Sequence, residues 1–405
     1  MAAITNFEQF VRRVLEIVFW VLIFVPLIIF PVFFVVYVLP VEFSCNFSML
    51  NCAQHINWSI PLYLFSPSQL NPFDPTSFIS QMGLGATSII FKSSFFPGIS
   101  FAAILSSFVI WYERKLIAKM QYRVGPQYAG RVEGWMQSFA DLFKLMFKEV
   151  VIPAKADAPF FMAVPFALMA LSGALLAVVP ISANIYITSS PYSLLIALAI
   201  LSFFPLVTVL AGWASANKFS FIGGIRALYQ MISYEIPFLL SVVGIIILAG
   251  GTLSLSQIVG AQGRIWFIIP MILGAIVFYI TAMAELERIP FDLPEAESEI
   301  VAGWLTEYTS MSFGVINLAT YIKLYGLAAL FTILFLGGWQ GPAPVPGALW
   351  FMIKTIIMIT LFLIPRGAFG RIRIDQLIGF GWLWLVGLSF ANIFIAVVLK
   401  ATGIL

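Results

Sequence analysis

Residues 231–250 read MISYEIPFLLSVVGIIILAG. From Ile236 to Gly250 no charged side chain appears. A helix that crosses a bilayer needs about 20 mostly apolar residues, and this stretch supplies them. Glu235, near its start, is the exception. A carboxylate at membrane depth is costly, so it points to function before anchoring.

The same test along the chain finds nine spans: 14–41, 96–113, 158–180, 192–213, 231–250, 265–284, 312–336, 347–365 and 378–400. Pro26 and Pro31 interrupt the first and predict a kink there. The expected fold is all-α: a polytopic transmembrane helical protein of about nine spans. Composition agrees. Of 405 residues, 61% are hydrophobic and 10% charged, against about 25% charged in soluble domains. The net charge of +3 gives no basis for nucleic-acid binding. The apolar run after Arg12 and Arg13 is too long for a cleaved signal sequence and reads as a retained helix.

Basic residues orient the bundle. Arg114, Lys115, Lys119, Arg123, Arg131, Lys144, Lys148 and Lys155 follow the second span. Lys218 and Arg226 lie in another loop, and Arg366, Arg371 and Arg373 in a third. Alternation puts these loops on one side together with Arg12 and Arg13, and that side is expected to be cytoplasmic. The other side has little beyond Lys92 and Arg264. Residues 42–95 then form an outer loop, where Cys45 and Cys52 are either a disulfide or two free thiols. No internal repeat stands out, which argues against an inverted-repeat transporter.

Two cysteines and one histidine (His55) share that loop. Iron–sulfur clusters take about four thiolates, and haem usually takes a histidine-containing axial set. The chain is therefore expected to carry no redox centre and no metal. Any electrons belong to a partner.

Three segments stand out from the apolar background. Residues 131–149, RVEGWMQSFADLFKLMFKE, repeat apolar side chains at three- and four-residue spacing. That predicts an amphipathic helix on the membrane surface. It either packs on the spans, or walls an entrance or docks a soluble partner. Residues 111–130 hold Arg114, Lys115, Lys119 and Arg123 ahead of Gly125-Pro126. Composition alone makes these basic residues topology anchors on a constrained loop.

The third segment, 284–308, reads AELERIPFDLPEAESEIVAGWLTEY. Seven of the 18 acids lie here: Glu285, Glu287, Asp292, Glu295, Glu297, Glu299 and Glu307. Arg288 is the one basic residue among them. Asp292-x-x-Glu295 with Pro294 fits a capping box, placing Asp292, Glu295 and Glu299 on one helical face. Acids in a first turn complement the helix dipole. That accounts for Asp292, Glu295 and Glu297, but not for Glu285, Glu299, Glu307 or the similar Glu235. So many like charges predict raised carboxyl pKa values and coupled titration. Lys323, inside a late span, should meet an acid or a wet cavity, and Lys354 should do the same or snorkel outward.

Six stretches together resemble one family: 113–130 (ERKLIAKMQYRVGPQYAG), 139–149 (FADLFKLMFKE), 211–235 (AGWASANKFSFIGGIRALYQMISYE), 288–308 (RIPFDLPEAESEIVAGWLTEY), 337–342 (GGWQGP) and 371–377 (RIRIDQL). Over about 95–400 the chain is similar to the membrane subunit beside the quinone chamber of respiratory complex I, the H-type subunit of NADH-quinone oxidoreductase. The resemblance divides the chain into an H-type membrane domain, 93–405, and an N-terminal extension, 1–92, with one extra span.

The resemblance implies a subunit of a proton-pumping oxidoreductase in the cell membrane, with quinone as substrate, nothing bound covalently, and iron–sulfur clusters only in partners. Implied partners are the iron–sulfur subunit next to the chamber, the 49-kDa-type subunit, small membrane subunits and antiporter-like subunits. By position, Glu113, Arg114, Lys115, Arg123, Arg288 and Phe291 match the chamber wall. Glu285, Asp292, Glu295, Glu297, Glu299 and Glu307 match the acids linking quinone reduction to proton transfer. Glu235 and Arg226 match polar residues leading into the membrane. The chain departs from the family at Thr320, where a glutamate is common, at Leu383, where a lysine often stands, and at Gly370, where a proline is common. The alternatives are the membrane anchor of an energy-converting hydrogenase and a standalone proton-coupled transporter.

Overall fold

The computed structural model describes residues 98–402, apart from 131–132, 184, 264 and 343–344. The expected first span, its Pro26/Pro31 kink, the Cys45/Cys52 loop and the 1–92 extension lie outside the described residues, as do Arg12, Arg13, Lys92, Arg131 and Arg264.

The described chain is built from helices: α1 Ile99–Met120, α2 Gln137–Phe147, α3 Ala158–Val178, α4 Ser193–Ala214, α5 Lys218–Leu248, α6 Leu255–Ala261, α7 Ile272–Glu285, α8 Glu297–Ile300, α9 Ser310–Phe335, α10 Gly347–Ala368, α11 Ile374–Gly379 and α12 Val386–Ala401. A 3-10 turn, Gly303–Leu305, follows α8, and a π-helical turn, Phe380–Leu385, joins α11 to α12. Among the described residues, six helices are long and apolar enough to cross a membrane: α3, α4, α5, α9, α10 and the continuous Ile374–Ala401. The protein is a polytopic α-helical membrane protein.

Local signals explain several boundaries. Asn217 caps α5 by accepting a hydrogen bond from the Phe219 N–H. Pro159 sits in the first turn of α3, where its missing N–H costs nothing. α9 is the hub. Its apolar stretch is 94% buried, against 61% or less for the other five, and α1, α2, α3, α6, α7 and α10 all pack on it. Phe278 of α7 joins α5 and α9, with its ring 4.7 Å from Phe238 and 5.7 Å from Phe331.

Three expectations need correction. The predicted span 265–284 is helical only over Ile272–Glu285. At 1.5 Å per residue its 14 residues reach about 21 Å, short of the bilayer's hydrocarbon core. The preceding backbone does other work: the Ile268 N–H donates to the Phe335 carbonyl at the end of α9. Buried Phe267 and Met271 anchor this non-helical stretch to the protein, although Ile265 and Ile269 beside them are exposed.

The surface helix expected over 131–149 is confined to Gln137–Phe147. Gly134, with φ +71°, breaks the run before it, because a Cβ there would lie 2.5 Å from the Pro126 carbonyl oxygen. Stacking of Trp135 on Phe108 joins this region to α1.

The capping box at Asp292 does not form. No helix starts there, and α8 begins only at Glu297. Tertiary contacts override the local signal. Gln230 of α5 donates to both the Ala284 and Phe291 carbonyls, at 2.8 Å each. Arg371 takes the Asp292 carboxylate at 2.8 Å. Gly303, with φ +56°, packs on the carbonyl of Pro294 so closely that any Cβ would overlap it. On its other side Gly303 meets Gly223 of α5. The acidic segment is thus a folded loop pinned to α5, not a helix with one acidic face.

Candidate functional site

A cavity of about 590 Å³ opens on the side where α1, α7 and α10 end. Its wall carries five acids (Glu113, Glu285, Glu287, Asp292, Glu295) and five bases (Arg114, Arg123, Arg288, Lys323, Arg366). The acidic excess of 284–308 is therefore balanced in space by bases from α1, α9, α10 and the turn after α1.

Glu113 anchors this arrangement. It is 2% exposed. Arg288 reaches one oxygen at 2.7 Å and Arg366 the other. The Tyr321 hydroxyl donates to it at 2.8 Å, and the Arg288 guanidinium lies 4.6 Å from the Tyr321 ring centre. A buried carboxylate persists only with such partners, because desolvation alone would cost several kcal/mol. This cluster ties α1, the acidic loop, α9 and α10 together.

Deeper in the cavity, Lys323 of α9 meets Glu285 at the end of α7, with 2.8 Å between charged atoms. Trp304 donates to Glu287 at 3.3 Å. Burial pushes the Glu287 carboxyl up to about 7, although the Lys323 charge pulls it down. Burial and the neighbouring Glu287 and Asp292 push Glu295 up to about 8. Burial also raises Asp292, against the pull of Arg371. Thr320 reaches the cavity with its hydroxyl bound to the Asn317 carbonyl, so it adds no titratable group.

A second space of about 10 Å³, room for roughly one water, adjoins the first. Glu285 lines both. Glu235 of α5 faces the second and accepts a hydrogen bond from Ser202 of α4. A polar line thus runs from the cavity, through Glu285, to Glu235.

The remaining expected site residues fall partly inside and partly outside this cavity. Glu299 pairs with Arg226 of α5, and Glu307 accepts from Asn217, the α5 cap, at 2.6 Å. Both brace the acidic loop outside the cavity. Glu297 is exposed. Arg114 lines the cavity and pairs with Asp141 of α2 at 2.6 Å. Lys115 reaches Glu133 at 3.5 Å. Exposed Arg123 donates to Gln121 at 2.7 Å. Phe291, expected in the chamber wall, is buried in the core with its ring 5.4 Å from Tyr234. Lys354 neither meets an acid nor snorkels: it donates to the carbonyls of Leu336, Gly338 and Gln340 after α9.

Glu287, Tyr321, Trp304 and Arg366 belong to the site although sequence reasoning did not select them. Glu287 stood within the counted acidic run, so its signal was present. Arg366 read as a topology anchor, and only its place directly after Pro365 hinted at a fixed position. Tyr321 carried no signal that separated it from other span aromatics, and Trp304, within the acidic segment, carried none beside its charged neighbours.

The fold and the cavity define a polytopic membrane protein with a charged chamber cut into one end of its helical bundle. Residues 95–397 match the family model described as NADH dehydrogenase. An NADH-quinone oxidoreductase H subunit from Bacillus cytotoxicus is 42% identical over 321 residues, covering 76% of this chain and 95% of that protein. Its counterpart in Bacillus cereus (strain B4264) is 44% identical over 292 residues, covering 71% of this chain and 87% of the relative. The chain belongs to the NADH dehydrogenase family, among the H-type membrane subunits of NADH-quinone oxidoreductase.

Proposed function

We propose that this chain is the membrane subunit of a complex that passes electrons to quinone and moves protons, and that its cavity is part of the quinone-access chamber. Quinone takes two electrons and two protons to become quinol. Two cysteines and one histidine are too few to ligate a cluster, so the electrons come from an adjoining subunit, and the family likeness implies an iron–sulfur cluster there as the donor. A volume of about 590 Å³ lies in the range of small-molecule sites. The arginines of the wall suit a headgroup that gains negative charge on reduction.

Proton transfer is the part assigned to this chain's own residues. Glu287 and Glu295, with carboxyls raised to about 7 and about 8, exchange protons near neutral pH. Glu285 links them to Glu235, and Glu235 leads toward antiporter-like partner subunits. Arg288 and Arg366 hold Glu113 and shape the entrance. Arg226 and Glu299 hold the loop against α5. The complex sits in the cell membrane with the acidic loop on the cytoplasmic face, as the flanking basic residues favour.

The observation that carries this reading is the position of Glu285 in both spaces. The test is Glu235→Gln in the intact complex, assayed in native membrane vesicles. Assembly should be unchanged and quinone-dependent proton uptake should fall at least tenfold. Wild-type proton uptake in fully assembled variant complex would overturn the assignment of Glu235.

A further inference from the structure

Lys323 is a buried ammonium, 4% exposed, in the middle of α9. It is 2.8 Å from the Glu285 carboxylate, and its hydrogen bond goes to the Glu285 main-chain carbonyl at 2.7 Å. Its other neighbour is the Phe204 ring, 4.2 Å from Nζ to the centre. The carboxylate oxygen facing Lys323 has no aligned hydrogen bond. The ammonium thus reaches both the side chain and the main chain of Glu285. Glu287 also feels the Lys323 charge and has a buried oxygen without a partner. Arg288 and Arg366, the nearby guanidinium groups, are both engaged with Glu113. Lys323, paired with Glu285 and acting by its charge on Glu287, therefore stands where the large cavity meets the passage to Glu235.

We propose that Lys323 is the positioning cation of this passage: it holds the Glu285 carboxylate at the wall between the two spaces and releases it when the charge in the large cavity changes. The step moves only a proton. An acid of the cavity gives it up, Glu285 takes it, the ion contact with Lys323 opens, and Glu285 passes the proton toward Glu235. Lys323 keeps its own protons and turns toward Glu287. The inference rests on the proton-transfer reading above, and the experiment separates failure of the two.

The test compares Lys323→Met, Lys323→Arg, Glu285→Gln and the double variant Lys323→Met/Glu285→Gln in the intact complex. Membrane vesicles are assayed for assembled complex, quinone reduction and proton uptake. Each single neutral variant leaves one buried charge unpaired and is expected to lower the amount of complex. The double variant removes the charges together and is expected to restore assembly. Per assembled complex, its proton uptake should stay at least tenfold below wild type. Lys323→Arg should retain more than a third of wild-type uptake. A double variant that both assembles and pumps at the wild-type rate would make the pair purely structural and overturn the proposal. So would Lys323→Arg pumping no better than the double variant. Absence of quinone-linked proton uptake in wild-type vesicles would overturn the underlying reading instead.

Discussion

Arg288 and Glu113 are 175 residues apart in sequence and 2.7 Å apart in the folded chain. The contact fixes the acidic loop to the end of α1. Arg366 completes it from α10. The cluster is buried on the carboxylate side and half-open on the Arg366 side, where the side chain is 43% exposed. The two guanidinium partners are therefore unequal, and Arg288 is the one that cannot turn to water.

That inequality predicts the cost of breaking the pair. Glu113→Ala leaves Arg288 buried and unpaired, which should destabilise the protein by about 3–5 kcal/mol. The amount of assembled complex and its thermal midpoint measure this. Glu113→Gln combined with Arg288→Met should recover most of the loss, because neither charge is then stranded. An unchanged midpoint for Glu113→Ala would show that the cluster does not hold the loop.

The raised carboxyls predict a pH dependence. Burial and their acidic neighbours push the Glu287 and Glu295 carboxyls up to about 7 and about 8 in the fold, above the ordinary glutamate value of 4.5. Between those limits the folded chain binds protons that the unfolded chain has released. Stability contributed by these groups is full below about 4.5, declines as pH rises, and is spent above about 8. Thermal midpoints of the purified complex should therefore drop from pH 6 to pH 9. Glu295→Gln cannot ionise and should flatten that drop. An equally steep profile in the variant would remove Glu295 from the titrating set.

Lys354 predicts the opposite separation of stability from turnover. It satisfies three carbonyls beyond the end of α9, and its ammonium lies 4.2 Å from the Trp266 ring centre. Lys354→Met should cost about 1.5–3 kcal/mol, the range for charge-assisted hydrogen bonds. Less complex should accumulate, while quinone reduction per assembled complex stays within about twofold of wild type. Wild-type accumulation of the variant would count against this bracing role.

Much of the fold was legible because hydropathy and helix length answer to the same constraint, the bilayer thickness. Six of the expected spans stand as long apolar helices. The failure at 265–284 has a local cause. Hydropathy cannot register that the Ile268 N–H is spent on α9 rather than on its own helix. The site was legible as a list of acids and bases, and illegible as a set of pairs. Glu113 finds Arg366 across 253 residues and Asp292 finds Arg371 across 79. Both arginines also fit a topology rule, which hid their second role. Likewise, the Asp292-x-x-Glu295 pattern is a local preference worth about 1 kcal/mol. Arg371, Gln230 and the Gly303 contact outweigh it.

The chain order of the Glu113 cluster bears on how the protein is made. Synthesis at about 5–20 residues per second leaves Glu113 waiting roughly 9–35 seconds for Arg288. Arg366 follows 253 residues after Glu113, and so about 13–50 seconds after it. Until Arg288 is made, α1 carries a carboxylate with neither guanidinium available, and until Arg366 is made it has only one of the two. The nascent helix must keep that end in the interface, or beside an insertion factor, until α10 has been delivered. Closure of the chamber is then a late event in biogenesis, and a chain truncated before α10 would leave the acid with half of its cationic partners.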